Sequence, residues 1–270
     1  MFKDFVLLMI TIPYTLFATI TEIHSISEAE KYFNSSDLTT LGVFDIDDTL
    51  LIPEDPAFQK KNLRKHVEIM QQINELPLEQ RDLLGCIALT YSHSQLIESE
   101  SPVFIGKLQQ RGVRLIALTA VMTKEFGDHY LPKMRYEELS RNGIDFSFSF
   151  PEIENGLFTE LKNCNHSFPA FFSGVLCSNG DFQRQKNAMS KGEVLCAFLG
   201  KTLWMPSKII FIDDKLYNLE EIELSIHKSY PDIEFQGLHY LGAESFISPA
   251  ISREVVETKW KEVLEKINLK

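Results

Sequence analysis

The sequence has no surplus of basic residues, since 27 Lys and Arg stand against 38 Asp and Glu and give a formal net charge of −11. A protein that binds nucleic acid neutralises phosphates with clustered Lys and Arg, so we expect no nucleic-acid partner. The four cysteines form no C-x-x-C pair and lack the histidine spacing of a zinc site, which argues against redox and structural-zinc motifs. No repeat, low-complexity tract or Gly/Ser linker divides the 270 residues, so one domain with an inserted subdomain is expected.

The N-terminus carries one uncharged apolar run, at residues 5–20. It is shorter than the roughly 18 apolar residues that a membrane-spanning helix needs, and Pro13 interrupts it, so we expect no stable membrane span. A removable signal peptide over residues 1–21, followed by a periplasmic or secreted mature chain, fits this pattern better. The alternative is a buried first strand or helix of the domain, which would leave the protein in the cytoplasm.

Apolar strands and amphipathic helices alternate along the rest of the chain. Strands are predicted at 41–45, 113–118, 144–148, 208–212 and 233–240, with a hairpin at 171–177 whose turn signal is Ser178-Asn179-Gly180. Helices are predicted at 27–33, 101–111, 136–141, 191–199, 216–227 and 253–267, with a helical stretch at 58–84 broken by Pro77. Continuous apolar strands separated by helices predict an α/β fold with a three-layer, Rossmann-like parallel sheet.

Carboxylate, hydroxyl and ammonium side chains follow the predicted strands or open the predicted helices. Parallel sheets place their active sites at the carboxyl ends of the strands, so these side chains are expected to share one rim. Each of them alone is also explained as a turn or helix cap, or as an ordinary strand residue. Their common position along one sheet favours a site that binds phosphate and a metal ion. The residues are Asp45, Asp47, Thr119, Lys191, Asp213 and Asp214.

The segments FDIDDTL, LIALTA, KGEVL and IIFIDDKLYN occur in this order and resemble the four motifs of the haloacid-dehalogenase-like phosphatase superfamily. The chain is most similar to a bacterial, often exported branch of that superfamily, in which NGIDFS also recurs. The similarity extends from Ile23 to Tyr240. It implies a Mg²⁺-dependent phosphatase that hydrolyses small phosphate monoesters through an aspartyl-phosphate intermediate.

The resemblance also implies roles for the two aspartates of the first motif. Asp45, which ends the strand, is the expected nucleophile. One carboxylate cannot both attack phosphorus and protonate the departing oxygen, so Asp47 is the expected general acid, which later accepts a proton from the hydrolytic water. Ile46 between them is expected to pack inward.

A divalent cation is expected because the phosphate ester and the attacking carboxylate are both anionic. Mg²⁺ keeps several waters and takes few protein oxygens. We therefore expect Asp45, the backbone carbonyl of Asp47 and Asp214 to bind the ion. Asp213 is expected either to bind it as well or to contact one of its ligands. Asn218, one helical turn beyond Asp214, is expected to hold that carboxylate in place.

Two further motif residues are expected to contact the phosphoryl group. Thr119 would donate a hydrogen bond to a phosphoryl oxygen. Lys191 would hold the group and balance the charge of Asp45 and Asp213. Thr49 is expected to stabilise the turn of the first motif.

Residues 52–100, called the insertion below, lie between the first and second motifs and are expected to form a small, mainly helical cap. Tyr91, His93 and Glu98 near its end either reach the substrate or are surface and hydrogen-bonded polar groups. In an oxidising compartment, Cys164 and Cys177 are the cysteines that we would test for a disulfide.

Three functions fit these residues. A phosphatase is the first, and a phosphotransferase or mutase that uses the same aspartyl-phosphate is the second. The third is a non-catalytic protein that binds a phosphorylated ligand on the same fold. A phospho-accepting receiver module is excluded by motif order, since a receiver has its acidic pair on the first strand and here the pair comes last.

Overall fold

The computed structural model describes residues 19–33, 37–126, 129–164, 166–180 and 189–267. Its strands are β1 (Ile20–Ile23), β2 (Thr40–Phe44), β3 (Leu51–Pro53), β4 (Ser94–Leu96), β5 (Arg114–Thr119), β6 (Glu125–Phe126), β7 (His129–Tyr130), β8 (Gly156–Leu157), β9 (Ala170–Phe172), β10 (Val175–Cys177), β11 (Lys208–Asp213) and β12 (Glu234–Tyr240). Its α-helices are α1 (Lys60–Leu63), α2 (Val67–Glu75), α3 (Leu78–Leu89), α4 (Ser101–Gln110), α5 (Leu131–Arg141), α6 (Lys191–Lys201), α7 (Leu216–Ser229), α8 (Gly242–Ser245) and α9 (Arg253–Ile267). Short 3₁₀ segments cover Ile26–Tyr32, Asp37–Thr39 and Pro56–Phe58.

The central sheet has eight strands in the order β1-β12-β11-β2-β5-β10-β9-β8. The strands from β1 to β10 in this order are parallel, whereas β9 and β8 are antiparallel and extend one edge. The chain passes from β2 to β5 on one side and later returns to β11 on the other. Strand order therefore reverses around β2, and such a switch point opens a crevice at the carboxyl ends of the strands.

Helices cover both faces of this sheet. Side chains alternate along β2, so that Phe44 packs with the buried residues of α4 and α5, while Leu41 and Val43 pack with those of α6 and α7. All five residues of β2 are buried, as expected for a central parallel strand. The predicted three-layer α/β fold with a mainly parallel sheet is confirmed.

The helices predicted at 101–111, 191–199, 216–227 and 253–267 are present with ends within two residues. Residues 26–32 form a 3₁₀ segment where an α-helix was predicted. The helix predicted at 136–141 begins earlier, at Leu131, because Pro132 fits the first turn of a helix.

The strand predicted at 144–148 is wrong. These residues form a turn-rich segment in which Ile144 and Phe146 are buried, and the Phe146 ring stacks on Phe44 with centroids 5.8 Å apart. The apolar residues alternate here because Ile144 and Phe146 anchor the segment in the core, and not because the segment is a strand. Strand β10 pairs with the edge of β5 at which residues 144–148 would otherwise pair. The Ser149 hydroxyl, which follows them, accepts a hydrogen bond from Leu115 N at 3.0 Å.

The predicted hairpin is present, but its turn is Ser173-Gly174 rather than Ser178-Asn179-Gly180. Both turn residues have positive φ, 46° and 85°, as a tight two-residue hairpin requires. A Cβ on Gly174 would lie 2.5 Å from the carbonyl carbon of Phe146, so no larger residue fits. The Asn179 side chain instead braces the loop after β5, where its Oδ1 accepts from Thr123 N at 2.9 Å.

The insertion lies between β2 and α4. Strands β3 and β4 form an antiparallel ribbon at its base, and helices α1 to α3 lie between them. The C-terminal helix α9 packs against it, because Trp260 Nε1 donates to Ala57 O at 2.7 Å and the Trp260 ring lies 5.6 Å from that of Phe58. This is the segment in which we predict a cap.

Most of the apolar N-terminal run lies outside the described residues, which start at Thr19. Strand β1 pairs in parallel with β12, and Ile23 and Ile26 are buried in the core. Among the described residues, no helix has both the length and the apolarity to span a membrane.

The suggested Cys164–Cys177 disulfide is absent, and both residues are buried thiols. Cys177 lies in β10 and packs on the α4 and α5 side of the sheet, where burial raises the pKa of its thiol.

Candidate active site

The first motif makes a tight turn directly after β2. Asp45 N donates to Ile212 O at 2.9 Å and so continues the ladder between β2 and β11. The Ile46 side chain is fully buried, and its carbonyl accepts from Leu50 N and Leu51 N at 3.0 and 2.9 Å. Asp48 has a φ of 61°, a conformation that aspartate tolerates better than most residues. The turn thus puts Ile46 in the core and leaves Asp45 and Asp47 at the rim.

Lys191 connects the first and fourth motifs. Its Nζ lies 2.7 Å from Asp45 Oδ1 and 2.7 Å from Asp213 Oδ2, and all three side chains are buried. Burial alone would lower the pKa of Lys191, but the two carboxylates outweigh it and the pKa is raised. A capping box fixes the start of α6, since Glu193 N donates to Ser190 Oγ and Ser190 N donates to Glu193 Oε2, both at 3.1 Å.

Asp213 is held by the start of α7. Lys215 N donates to its Oδ1 at 2.8 Å, and Asn218 Nδ2 lies 2.9 Å from both carboxylate oxygens. We predicted that Asn218 would hold Asp214, and this is wrong. The carboxylate of Asp213 accepts the hydrogen bonds of the first turn of α7, which leaves Asp214 directed elsewhere.

Asp45, Asp213 and Asp214, called the carboxylate cluster below, each offer one oxygen, and these oxygens lie within 4.8 Å of one another. Asp214 Oδ1 is buried and has no hydrogen-bond partner in the described part of the chain. Burial raises the pKa of Asp214 to about 7 and also raises the pKa of Asp45. Crowded carboxylates with an unsatisfied buried oxygen fit a hard divalent cation that takes oxygen ligands.

The Asp47 carboxylate lies apart from this cluster. Its Oδ1 lies 2.9 Å from Arg135 Nη2, and its Oδ2 accepts from Thr119 Oγ1 at 3.4 Å. The Asp47 side chain is 34% exposed, whereas that of Asp45 is 4% exposed. Any share of Asp47 in metal binding would therefore fall to its backbone carbonyl, and its carboxylate is much more exposed than that of Asp45.

Both motif threonines lie at the site. Thr119 ends β5, and its hydroxyl also accepts from Val121 N at 3.3 Å. The Thr49 hydroxyl accepts from Asp214 N at 3.1 Å, and it therefore ties the first motif to the fourth. We expected Thr49 to stabilise the turn of the first motif, whereas its hydroxyl contacts the backbone of the fourth motif.

Arg135 and Lys60 are basic residues at the site that the predicted set lacks. Arg135 on α5 is completely buried and contacts Asp47 and Glu138. Lys60 on α1 of the insertion pairs with Asp48, and its Nζ lies 4.0 Å from Asp214 Oδ2. Both occur in polar helical sequence that is typical of a solvated surface, so no local signal identifies them.

The polar residues near the end of the insertion each contact a residue outside the carboxylate cluster and the first motif. Glu98 accepts from Ile26 N at 2.9 Å and from Tyr240 OH at 2.6 Å. His93 Nδ1 lies 2.9 Å from Arg141 Nη1, and the Tyr91 ring packs on an aromatic neighbour of the insertion. Each of the three thus has a structural partner, as the alternative predicts.

A family model described as "Protein of unknown function (DUF2608)" matches residues 22–269. The chain belongs to this family. The match runs from within β1 to the last residues of the chain and so includes the sheet, the insertion, the carboxylate cluster and α9.

The DUF2608 chain is similar to rickettsial proteins described only as uncharacterised. It is 29% identical to one from Rickettsia felis over 150 residues, which are 54% of this chain and 48% of the relative. Identity is 26% over 155 residues with one from Rickettsia bellii, covering 56% and 50%. A protein from Rickettsia conorii is 29% identical over 150 residues, covering 54% and 48%. The chain thus spans about half the length of these curated relatives.

Proposed function

We propose that the chain is a Mg²⁺-dependent phosphatase that hydrolyses small phosphate monoesters through an aspartyl-phosphate on Asp45. The observation that carries this proposal is the Lys191 ammonium, which lies 2.7 Å from both Asp45 and Asp213 at the carboxyl ends of adjacent strands. A buried ammonium in this position fixes the carboxylate of Asp45 and offsets part of its charge, which an anionic ester would otherwise repel.

In the first step, a carboxylate oxygen of Asp45 attacks phosphorus, and the bond from phosphorus to the ester oxygen breaks. Lys191 engages Oδ1 of Asp45, and we assign the attack to the other oxygen. Thr119, at the end of the neighbouring strand, would donate to a phosphoryl oxygen once its contact with Asp47 is released.

Asp47 transfers a proton in both steps. In the first step its carboxylic acid protonates the departing alkoxide, so that an alcohol leaves. In the second step its carboxylate takes a proton from water, which attacks the aspartyl-phosphate and releases phosphate with Asp45 restored. The 34% exposure of Asp47 beside the buried Asp45 supports this division of roles.

The carboxylate cluster would hold the metal ion. A bound Mg²⁺ would supply positive charge next to the transferring phosphoryl group. The fit rests on the unpartnered buried Oδ1 of Asp214 and on the raised pKa of the same carboxyl.

The test is a panel of small phosphorylated metabolites assayed for released phosphate with Mg²⁺ present. We expect release that EDTA abolishes and Mg²⁺ restores, and that Asp45→Asn reduces below a few per cent of the wild-type rate. Asp232→Asn, an exposed change in the turn before β12, is the matched control and should keep full activity.

The same panel separates the other candidate functions. Turnover that rises when an acceptor alcohol is added indicates a phosphotransferase or mutase. Binding of a phosphorylated compound with no turnover of any ester contradicts the proposal and indicates a phospho-ligand-binding protein.

A further inference from the structure

Arg135 is a buried cation that the mechanism above does not use. Its side chain is 0% exposed, and its Nη2 lies 2.9 Å from Asp47 Oδ1. A buried guanidinium is costly unless its charge is paired, and here the carboxylates of Asp47 and Glu138 pair with it. Burial alone would lower the pKa of Arg135, but these carboxylates raise it, so the group stays charged.

Glu138 contacts the other terminal nitrogen of the Arg135 guanidinium. It lies one helical turn further along α5 and contacts Arg135 Nη1. Its Oε1 accepts from Ser94 Oγ at 3.1 Å, and Asn142 Nδ2 donates to Ser94 O at 3.0 Å. Because Ser94 lies in β4, where the insertion returns to the core, a continuous set of contacts connects that strand to Asp47.

The burial of this set decides what Arg135 can do. Asp47 is partly exposed and can meet a substrate, whereas Arg135 lies behind it and cannot. Lys191 already balances the nucleophile, so Arg135 is not needed for that purpose. The Nε atom of Arg135 is buried and has no hydrogen-bond partner in the described residues, so the guanidinium is not fully hydrogen-bonded in this position.

We propose that Arg135 is a positioning residue for the general acid. Its guanidinium orients the Asp47 carboxylate towards the leaving-group oxygen, and the contacts of Glu138 and Ser94 couple this orientation to the insertion. The inference rests on the proposed phosphatase function. Arg135 engages Oδ1 of Asp47, and this contact remains when Thr119 turns from Oδ2 to a phosphoryl oxygen, so Arg135 still holds the acid at the proton-transfer step. Proton transfer to a leaving group depends on such alignment.

The test compares two esters. An alkyl phosphate needs a proton on its leaving oxygen, whereas p-nitrophenyl phosphate leaves without one. Arg135→Gln should lower kcat/KM for the alkyl phosphate roughly 10- to 100-fold and that for p-nitrophenyl phosphate less than about threefold. Lys133→Gln removes a positive charge from the exposed side of the same helix and should leave both values unchanged.

A double-substitution cycle asks whether Arg135 acts through Asp47. In the Asp47→Asn background, Arg135→Gln should cause no further loss on the alkyl phosphate, because the group that it aims is gone. Ser94→Ala should show the same preference for the alkyl ester with a smaller, few-fold loss.

Circular dichroism and thermal melting check that each variant is folded. Arg135→Gln leaves the buried Glu138 carboxylate with Arg141 as its remaining cation, and the Arg141 Nη2 atom lies 3.8 Å from Glu138 Oε1. The two esters are therefore also compared in the Arg135→Gln/Glu138→Gln protein, from which the Glu138 charge has been removed. Equal losses on both esters in a folded variant, or an additional loss in the Asp47→Asn background, would overturn the positioning role. Wild-type protein that releases phosphate from no ester would overturn the phosphatase itself, and the two failures are thus distinguished.

Discussion

Replacing Lys191 by methionine tests the central ion-pair arrangement in the absence of substrate. Methionine keeps the unbranched shape but removes the ammonium that lies 2.7 Å from Asp45 and from Asp213. Removing one partner of a buried ion pair costs about 3–5 kcal/mol, because an uncompensated charge remains. Two carboxylates remain here, but burial already raises the pKa of Asp45, so proton uptake relieves part of the cost. We therefore expect the free energy of unfolding to fall by about 3 kcal/mol at pH 7.

The pH dependence of this loss has a defined sign. The folded protein raises the pKa of Lys191, so the stabilisation by Lys191 is fully present at pH 7 and disappears only far into the alkaline range. In the variant, Asp45 loses the cation that lowers its pKa and binds a proton more readily. The difference between wild type and variant should therefore shrink as the pH falls from 7 towards 4.

The assay is urea unfolding of metal-free protein at pH 7 and pH 4.5, followed by circular dichroism. Lys201→Met is the matched control, since Lys201 ends the same helix in an exposed pair with Glu160, and it should cost less than about 1 kcal/mol. A Lys191→Met protein as stable as this control at pH 7 would refute the reasoning.

Three further outcomes are expected. Mg²⁺ should raise the melting temperature more at pH 8 than at pH 5.5, because protons compete for Asp214, whose pKa is about 7; thermal shift assays should also show no Mg²⁺ effect for Asp214→Asn. Trp260→Ala should destabilise the protein by about 3–5 kcal/mol, since it removes the aromatic contact between α9 and the insertion; urea unfolding with an unchanged midpoint would contradict this. N-terminal sequencing of protein from fractionated cells should find a mature start near Thr19, before the expected boundary at residue 21, because Gly237 N donates to Thr19 O at the start of the β1–β12 ladder; an intact Met1 on cytoplasmic protein would refute export.

The strands that form the rim could be predicted because their signals are local. An uninterrupted apolar run followed by Asp or Thr specifies both a buried strand and a polar group at its carboxyl end, as at Asp45, Thr119 and Asp213. Since β2, β5 and β11 are neighbours, these side chains meet without further information.

Other parts of the molecule depend on tertiary contacts that no local pattern encodes. Arg135 lies in a helix whose polar composition predicts a solvated surface, and only its packing beside Asp47 makes it part of the site. The partner of Asn218 depends on which carboxylate accepts the hydrogen bonds of the first turn of α7. Residues 144–148 alternate like a strand because Ile144 and Phe146 anchor a loop, while β10 pairs with β5.

The central claim is that Asp45 becomes phosphorylated, and acid-quenched turnover tests it most directly. Protein mixed with a saturating phosphate ester and Mg²⁺ is quenched within one turnover, digested and analysed by mass spectrometry. With p-nitrophenyl phosphate as the ester, whose leaving group needs no proton, we expect a phosphoryl adduct on Asp45 that builds up in Asp47→Asn, because the first step continues while the second lacks its base. An ester that is hydrolysed while the peptide containing Asp45 remains unmodified in both proteins would contradict the covalent mechanism.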